Sequence, residues 1–481
     1  MNFGNLKRSG KANLRRLHVC TVLLTACVFF VLSGGWVWAA EADRWTLNET
    51  LGLPEAFSIS GEHFSRYETL NSQFRANTTG SDQIWVMRSL LQVEYRFHKD
   101  FKIKGELQDS RAADFADEGT RINHSIVNTA ELLEANFAWT LRDLFSKESI
   151  SELRGGRLTF DFGKRRIVAR NRFRSVIESF TGLEWKWKAE DGNRMHMFFT
   201  MPVRRRPQDF GSLLDNEARI DKESFDQILW GISYAPPGIP WGNKGEFILV
   251  GLHERDSSDF ASRNRQLYIP SIRLYRPAQK GKFDFELQSV LQLGTSRATP
   301  AASDTRDLDH LAHFHHFETG YSFNTFWSPR FFFEYDFASG DRDPNDNTSE
   351  RYENPFGPNV AEFGPTSIHT AFTRSNLSSP GARLVVHPAE NLMAYLSYRA
   401  YWLVSSTDFW SGASRLRDIS GNSKTFLGHQ WVLRGQWRAH SNLHMESAVA
   451  YLIEGDYQKT VPQSPREGNS LYFYIQAKVF F

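Results

Sequence analysis

Long segments of this chain alternate between apolar and polar side chains, and no other feature constrains the fold as strongly. Residues 84–97 place apolar side chains on one parity and charged or polar side chains on the other, and residues 101–108 and 282–293 repeat the pattern. A side-chain period of two is typical of a β-strand whose two faces meet different surroundings. The sequence therefore predicts an all-β protein built from two-faced strands.

Three further features favour a membrane barrel over a soluble β-sandwich. Many segments run for about 9–13 residues, close to what a tilted strand needs to cross a bilayer. Opposite charges share the polar faces, as in Glu94 with Arg96 and Lys104 with Glu106, and aromatic residues such as Trp139 gather at segment ends. A wet lumen and an interfacial aromatic girdle would explain both patterns. We therefore predict a transmembrane antiparallel β-barrel of about 18 strands.

The first 40 residues differ from the rest of the chain. Basic residues open the sequence, an apolar stretch follows, and small residues end it. This pattern predicts a cleaved secretory signal peptide over residues 1–40, with an uncleaved membrane anchor as the alternative, and a single barrel domain over residues 41–481. Both cysteines, Cys20 and Cys27, fall within the predicted signal, so the mature chain would have no disulfide.

The end of the sequence alternates by twos up to a terminal Phe481. A final strand that ends on an aromatic residue resembles the assembly signal of bacterial outer-membrane barrels. No run of about 18 apolar residues, which a membrane-spanning helix would need, follows residue 40. Together with the predicted signal peptide, these features predict that the mature chain lies in the lipid of the bacterial outer membrane.

Basic charge is concentrated in one part of the chain. The whole sequence has 57 basic and 55 acidic residues, a balance that gives no reason to expect a nucleic-acid partner. Residues 151–209, in contrast, contain 14 basic and 7 acidic residues. The acidic residues of this segment cannot neutralise its bases, and arginine binds carboxylates through two parallel hydrogen bonds. We therefore predict an anion-selective lumen, with a solvated charge run or a loop facing lipopolysaccharide as the alternative.

Side-chain parity indicates which residues of the basic segment face the lumen. In residues 157–162 we expect Leu158, Phe160 and Phe162 to face lipid, which would turn the alternate residues inward. Residues 164–174 would then form a basic loop or continue into the pore. This segment is therefore the predicted constriction of the channel.

The predicted lining set combines strand residues with residues of the basic segment. Its acidic member, Asp161, would orient neighbouring arginines rather than repel an anion. We predict no catalytic residue, no metal ligand and no cofactor. The strand-based lining residues are Arg88, Arg96, Lys102, Lys104, Arg157, Asp161, Arg399 and Arg434, and the constriction adds Arg165, Arg166, Arg170, Arg172 and Arg174.

Residues 334–346, which read EYDFASGDRDPND, change character in the middle. Asp341, Asp343 and Asn345 have the first, third and fifth positions of a calcium-binding loop, but the sixth is an aspartate rather than a glycine. We predict that the strand ends at Gly340 and that an extracellular loop follows, with a calcium ion in that loop as the alternative. Three polar segments are predicted to be extracellular loops, namely residues 71–82, 353–367 and 405–423.

Four histidines cluster in the sequence DHLAHFHHFETG. Two of them, His313 and His315, share a parity, which could indicate a metal site or an outer-membrane enzyme. No cysteine, no clear acidic partner and no paired nucleophile accompany them. We therefore expect lumenal or loop histidines and a protein that is not an enzyme.

Two stretches of the chain resemble the alginate export family of outer-membrane proteins. Residues 156–187 read GRLTFDFGKRRIVARNRFRSVIESFTGLEWKW and share the family's Gly-Arg strand start, its Arg/Asn-rich segment and its Phe-x-Gly strand start. Residues 334–346 match a Tyr-x-x-Ala-Ser-Gly-Asp run that Asp-Pro-x-Asp follows in the family. Leu158 stands where the family usually has glutamine, and the tryptophan often found before the Arg/Asn-rich segment is absent.

The resemblance implies an 18-stranded barrel whose electropositive constriction conducts an anionic uronate polysaccharide outward, either alginate or a related polymer. It also implies a monomeric barrel that receives its cargo from periplasmic polysaccharide-secretion proteins. A porin-like channel for small anionic solutes has the same fold and is the main alternative. An outer-membrane enzyme and a surface adhesin or structural barrel are the others.

Overall fold

The computed structural model describes residues 44–114, 122–410 and 414–481, so the predicted signal peptide lies outside the described residues. Strands dominate this part of the chain, and its helices are short. The strands are β1 (Phe57–Asn71), β2 (Ser81–His98), β3 (Phe101–Asp114), β4 (Asn128–Arg142), β5 (Ile150–Leu158), β6 (Phe180–Lys188), β7 (Arg194–Pro202), β8 (Gln227–Ala235), β9 (Lys244–Glu254), β10 (Gln266–Arg276), β11 (Phe283–Ser296), β12 (Leu308–Ser322), β13 (Arg330–Ala338), β14 (Thr348–Ser349), β15 (Leu377–Ala389), β16 (Leu392–Trp402), β17 (Phe426–His440), β18 (Leu443–Glu454) and β19 (Ser470–Phe480). The helices are Leu47–Leu51, Phe210–Leu214, Val360–Phe363 and Asp456–Thr460, with one 3₁₀ turn at Pro240–Gly242.

Eighteen of the strands among the described residues close into one antiparallel barrel. Each barrel strand pairs with its neighbours in sequence, β13 pairs directly with β15, and β19 returns to pair with β1. The two-residue β14 lies outside this ring and pairs in parallel with β12. Closure satisfies the backbone hydrogen bonds that an open sheet edge would leave exposed to lipid. The prediction of a transmembrane antiparallel barrel of about 18 strands is confirmed.

The C-terminal residue seals the seam between the first and last strands. The backbone nitrogen of Gly61 donates to the carbonyl oxygen of Phe481 at 2.8 Å, and the nitrogen of Phe481 donates back to the oxygen of Gly61 at 3.1 Å. A side chain at Gly61 would overlap the ring of Phe481. The glycine therefore lets the terminal aromatic ring pack closely against β1.

The two faces of the barrel follow the alternation seen in the sequence. On β2, Trp85 and Leu91 are 45% and 41% exposed on the outer face, whereas Val86 and Arg88 are buried on the inner face. The outer side chains form the apolar surface that meets lipid, and the inner ones meet the lumen. None of the described helices has the length and hydropathy to cross a bilayer.

The two ends of the barrel differ in their connections. At the end that carries the C-terminus, the strands are joined by two to eight residues, and at the other end by nine or more. Outer-membrane barrels have short periplasmic turns and long extracellular loops. We therefore assign the end with the C-terminus to the periplasm.

Two of the long extracellular connections fold back into the barrel. The first contains residues 159–179 and the second residues 350–376, and both contribute to apolar clusters inside the lumen. Residues 353–367, predicted to be an extracellular loop, do belong to an extracellular connection, but they lie inside the barrel rather than outside it. Burial of the apolar side chains Tyr352 and Phe363 favours the inward position, because an outward loop would leave them in water.

The expected orientation of Leu158, Phe160 and Phe162 is also wrong. Strand β5 ends at Leu158, and the chain then turns into the lumen, where all three side chains are at most 3% exposed. The rings of Phe160 and Phe162 pack against Phe198 of β7 at centroid distances of 4.7 Å and 4.9 Å. Alternation identified the apolar face correctly, but this face packs inside the barrel rather than against lipid.

The histidine cluster divides between the two faces of β12. His310 and His316 are buried on the lumenal face, whereas His313 and His315 lie on the outer face and contact each other at 3.0 Å. The prediction of lumenal or loop histidines is therefore wrong for His313 and His315.

Strand β13 ends where the sequence predicted a boundary. It stops at Ala338, and the long connection to β15 follows. In that connection Asp343 and Asp346 accept hydrogen bonds from the backbone nitrogens of Asn345 and Thr348 at 3.0 Å and 2.7 Å. Among the described residues, no group of three or more carboxylate, histidine or cysteine side chains is placed to hold a metal ion.

Candidate functional site

The two inward connections meet in the lumen and form its constriction. We call residues 159–179 the arginine loop and residues 350–376 the second inward loop. The backbone nitrogen of Ala169 donates to the oxygen of Phe356 at 3.2 Å, and the nitrogen of Phe356 donates to the oxygen of Ile167 at 3.3 Å. A side chain at Gly357 would overlap the carbonyl oxygen of Arg166, so this close approach of the two loops requires glycine.

Arg166 ties the arginine loop to both the barrel wall and the second inward loop. Its Nε donates to Glu362 at 2.9 Å, and its Nη1 donates to Glu286 and, at 2.7 Å, to the amide oxygen of Gln288. Its side chain is only 4% exposed. Burial alone would lower the pKa of Arg166, but the carboxylates of Glu362 and Glu286 raise it above its usual value, so the guanidinium stays charged.

Arg170 and Arg165 are also neutralised by carboxylates. Arg170 donates to Glu106 at 2.8 Å and lies 3.7 Å from Glu134. Arg165 lies 3.3 Å from Asp161, whose Oδ1 accepts a hydrogen bond from the backbone nitrogen of Arg170 at 3.0 Å. These contacts fix the shape of the loop and leave little free positive charge on either arginine.

Arg172 and Arg174 differ, because neither makes an ion pair within the described part of the chain. Arg172 is exposed and lines a cavity of about 190 Å³ that also contacts Phe480, near the periplasmic end. Arg174 lines a second cavity, of about 290 Å³, between the two inward loops, together with Asn354 and Arg374. The loop therefore presents one unneutralised guanidinium to each of two separate cavities.

Burial and charge both act on Arg174. Burial lowers the pKa of its guanidinium, Glu178 raises it, and the positive charge of Arg205 lowers it further. Glu178 is itself in an ion pair with Arg205. A bound carboxylate would supply the ion-pair partner that Arg174 does not find within residues 44–114, 122–410 and 414–481.

Arg88, which the sequence predicted to line the pore, holds the backbone of the arginine loop instead. Its Nη1 donates to the carbonyl oxygens of Arg174 and Ser175 at 3.1 Å and 3.3 Å, and its Nη2 pairs with Glu62 at 2.5 Å. Arg66 acts in the same way, donating to the oxygen of Phe173 at 2.8 Å. These contacts explain why the loop stays inside the barrel although it has no regular secondary structure.

The remaining strand residues of the predicted lining set face the lumen, and each has a carboxylate partner. Arg399 pairs with Asp336 at 2.6 Å and Arg434 with Glu446 at 2.8 Å. Lys102, Lys104 and Arg96 form further pairs at 3.0 Å with Glu94, 3.1 Å with Glu134 and 3.7 Å with Glu94, respectively. The lumen wall therefore carries paired charges rather than a bare positive surface.

Among the strand residues predicted to line the lumen, Arg157 is the exception, because it lies on the outer face of the sheet. Its predicted inward orientation is therefore wrong. It pairs in register with Ala135 and Thr181, whose parity belongs to the outer face of the sheet. Its guanidinium contacts Glu131 at 2.6 Å and Glu223 at 2.7 Å. Because the apolar parity of this segment packs into the lumen, Arg157 lies on the opposite side and anchors the connection between β7 and β8.

Sequence reasoning missed the contribution of the second inward loop. Arg374 of this loop pairs with Glu362, and Arg75 donates to the carbonyl oxygen of His369 at 2.8 Å. The residues that hold this loop lie far apart in sequence, and only the proline and glycine pattern of residues 353–367 marked the segment as a loop. Nothing in that pattern indicates whether a loop points into the barrel or away from it.

Comparison with known proteins identifies the family and the fold. The sequence profile of the alginate export family matches residues 56–468. No curated protein matches the sequence. Among solved structures, OccK9 (OpdG) of Pseudomonas aeruginosa is similar at a TM-score of 0.56 and 12% identity, with 89% of this chain and 98% of that chain covered.

Two further solved structures from Pseudomonas aeruginosa share the architecture. OccD3 (OpdP) has a TM-score of 0.55 and 11% identity over 89% of this chain and 92% of that chain. OpdK with vanillate has a TM-score of 0.54 and 10% identity over 88% of this chain and 98% of that chain. OpdK is described as an outer membrane protein. At these identities the likeness supports the barrel fold alone.

The family match and the closed barrel agree on the protein's class. The profile covers most of the chain, and the fold is one that spans outer membranes. The chain belongs to the alginate export family and is a β-barrel channel of the bacterial outer membrane.

Proposed function

We propose that this channel exports an anionic polysaccharide, alginate or a related uronate polymer, and that Arg172 and Arg174 bind its carboxylates. The observation that carries the proposal is that these two arginines of the constriction have no ion-pair partner among the described residues, whereas Arg166 and Arg170 do. A planar guanidinium forms paired hydrogen bonds with a carboxylate, which a neutral sugar cannot offer. Family membership supports the choice of polymer.

The proposed mechanism divides the arginines into two roles. Paired arginines fix the constriction, and the two unpaired ones make brief contacts with successive uronate carboxylates. Conduction requires binding that attracts the cargo but releases it easily, and an exposed ion pair such as one at Arg172 is worth about 0–1 kcal/mol. Arg172 and Arg174 lie on different cavities, so a chain of carboxylates would pass from one to the other in steps. We propose that the barrel acts as a monomer and receives its polymer from periplasmic secretion proteins.

A channel for small anionic solutes is the second candidate, and two observations favour it. The cavities beside Arg172 and Arg174 have volumes of about 190 Å³ and 290 Å³, which suits a small molecule. OpdK, which has a similar fold, was solved with vanillate. The same two arginines would then bind a single carboxylate instead of a polymer.

Conductance of the purified barrel in a planar lipid bilayer separates the two candidates. For polymer export, oligouronates should block the current, and their affinity should rise with chain length, because each added carboxylate increases the chance of engaging both arginines. Neutral oligosaccharides of equal length should not block. Equal block by small organic acids and by oligouronates would exclude the polymer and leave the small-solute channel.

A further inference from the structure

Lys188 and Arg194 face each other at the periplasmic end of the barrel. They are directly paired in the register of β6 and β7, next to the pair Lys186 and His196. Two residues further along β7, Phe198 is buried inside the lumen, so alternation places both basic side chains on the lumenal face. Two like charges therefore lie opposite each other at the mouth of the lumen.

Neither basic side chain has an ion-pair partner in the described ranges, and acidic residues of the surrounding strands and loop are engaged elsewhere. Glu184 pairs with Lys186 at 2.9 Å and with His196 at 2.8 Å. Glu246 pairs with Arg273 at 3.4 Å and Asp161 with Arg165 at 3.3 Å.

Two further acidic residues around the pair also have partners, whereas Glu190 of the adjoining turn is exposed and makes no ion pair in the described ranges. Glu152 lies 3.9 Å from Arg154, and Asp191 of the adjoining turn accepts hydrogen bonds from Asn193 at 3.0 Å and 2.7 Å. The basic pair therefore remains available to an external anion.

A cavity of about 580 Å³ adjoins the pair. Lys188, Arg194 and Lys186 line it together with Ser233 and Tyr275. Small-molecule sites typically have volumes of about 300–1,000 Å³, so the cavity has room for one or two sugar rings. The arginine loop contributes Asp161 and Gly163 to its lining, so the cavity lies directly beside the constriction on the periplasmic side.

The energetics of the pair also indicate a ligand. Like charges directly opposite each other on a sheet destabilise it. A carboxylate between the two side chains would reverse the sign of this interaction, because each base would gain a charge-assisted hydrogen bond.

We propose that Lys188, Arg194 and the adjoining cavity form a loading site that binds a carboxylated sugar of the polymer before it reaches Arg172. This rests on the proposed function and deepens it, because it assigns the periplasmic mouth as the place where a uronate chain first engages. The site would raise the local concentration of the anionic chain end at the periplasmic mouth of the constriction.

Two-sided block in a bilayer tests the loading site. Oligouronate trimers are added to the periplasmic or the extracellular side of oriented channels, for the wild type, for K188Q/R194Q and for K147Q. Lys147 is a control for the loss of a periplasmic basic residue, because it lies in the periplasmic turn between β4 and β5 with its side chain 89% exposed, outside the cavity. We expect K188Q/R194Q to weaken the affinity for block from the periplasmic side by about fivefold to tenfold. The same variant should leave the affinity for block from the extracellular side within about twofold of the wild type. K147Q should change neither affinity.

The outcomes distinguish the loading site from the proposed function. Block of the wild type with no difference between wild type and K188Q/R194Q overturns the loading site and leaves the proposed function intact. Absence of oligouronate block from both sides of the wild type overturns both.

Thermal unfolding provides a second readout, and it would also reveal whether the variant is misfolded. Without ligand, K188Q/R194Q should unfold at the same temperature as the wild type or higher, because a like-charge pair has been removed. With oligouronate, the midpoint should rise more in the wild type than in the variant. Equal rises in the two proteins, or a lower midpoint in the unliganded variant, would contradict the proposal.

Discussion

The arginine loop has two halves that use the same residue type in different ways. In the first half, Arg166 is buried and Arg170 half-buried against carboxylates of the barrel wall and the second inward loop. In the second half, Arg172 and Arg174 lie beside cavities without an ion-pair partner in the described chain. A run of arginines in a channel sequence therefore does not measure the positive charge that a passing anion meets.

The difference follows from the acidic residues of the wall. Glu286, Glu106 and Glu134 lie on strands that pass the first half of the loop, and Glu362 reaches it from the second inward loop. Removing one partner of a buried ion pair is costly, whereas an exposed charge can be removed at little cost. The two halves should therefore respond differently to the same substitution.

The largest effect is expected for Arg166→Gln. It leaves Glu362 and Glu286 without one of their cations, so the docked loop should lose about 3 kcal/mol of stability. Hydrogen exchange of residues 159–179 would detect the loss as reduced protection, with larger current fluctuations through single channels. Arg165→Gln is the control, because Arg165 is 45% exposed and has a single partner. Equal loss of protection in both variants would remove the distinction between buried and exposed pairs.

A smaller effect is expected for acidification of the second inward loop. His369 is buried, its Nε2 lies 2.9 Å from Gln430, and burial together with the charge of Arg75 lowers its pKa to about 4. Because the free imidazole has a pKa of 6.5, the docked loop loses stability as the pH falls below about 6.5, and the loss levels off below about 4. At pH 5 the loss is on the order of 2 kcal/mol.

Hydrogen exchange of residues 350–376 at pH 7 and pH 5 checks this pH response. After correction for the intrinsic exchange rate, protection of the loop should fall in the wild type and stay nearly constant in His369→Gln. An equal response of the two proteins would show that another group controls the loop.

The smallest effect is expected from salt. Screening shortens the range of exposed charges from about 10 Å at 0.1 M to about 3 Å at 1 M, but it hardly reaches buried pairs. Oligouronate block should therefore weaken by about fivefold over this range, while the protection of the arginine loop stays the same. Parallel loss of block and of protection would contradict the division of the loop into paired and unpaired halves.

The barrel wall could be predicted from the sequence because each strand carries its own evidence. Trp85 and Leu91 alternate with polar residues within a single segment, and no distant partner is needed to orient them. The same reasoning failed at Phe160 and Phe162, because a packed lumen and a lipid bilayer both accept an apolar face.

The charge of the constriction could not be predicted in the same way. The carboxylates that neutralise Arg166 lie 120 and 196 residues away in sequence. The composition showed correctly that the segment of residues 151–209 has too few acidic residues to neutralise its own basic residues. Most of the carboxylates that neutralise the arginine loop come instead from other strands and from the second inward loop. Only the folded arrangement separates Arg172 and Arg174 from their paired neighbours.

The most direct test of the central claim compares two double variants that remove the same charge from the same loop. R172Q/R174Q removes the unpaired arginines, and K164Q/R165Q removes two exposed bases that pair with Glu286 at 3.5 Å and Asp161 at 3.3 Å. The measurement is the dissociation constant for oligouronate block of the current. We predict a loss of about tenfold, or about 1.4 kcal/mol, for R172Q/R174Q and a change within about twofold for K164Q/R165Q. Equal losses in the two variants would show that the net charge of the loop, and not its unpaired arginines, binds the anion.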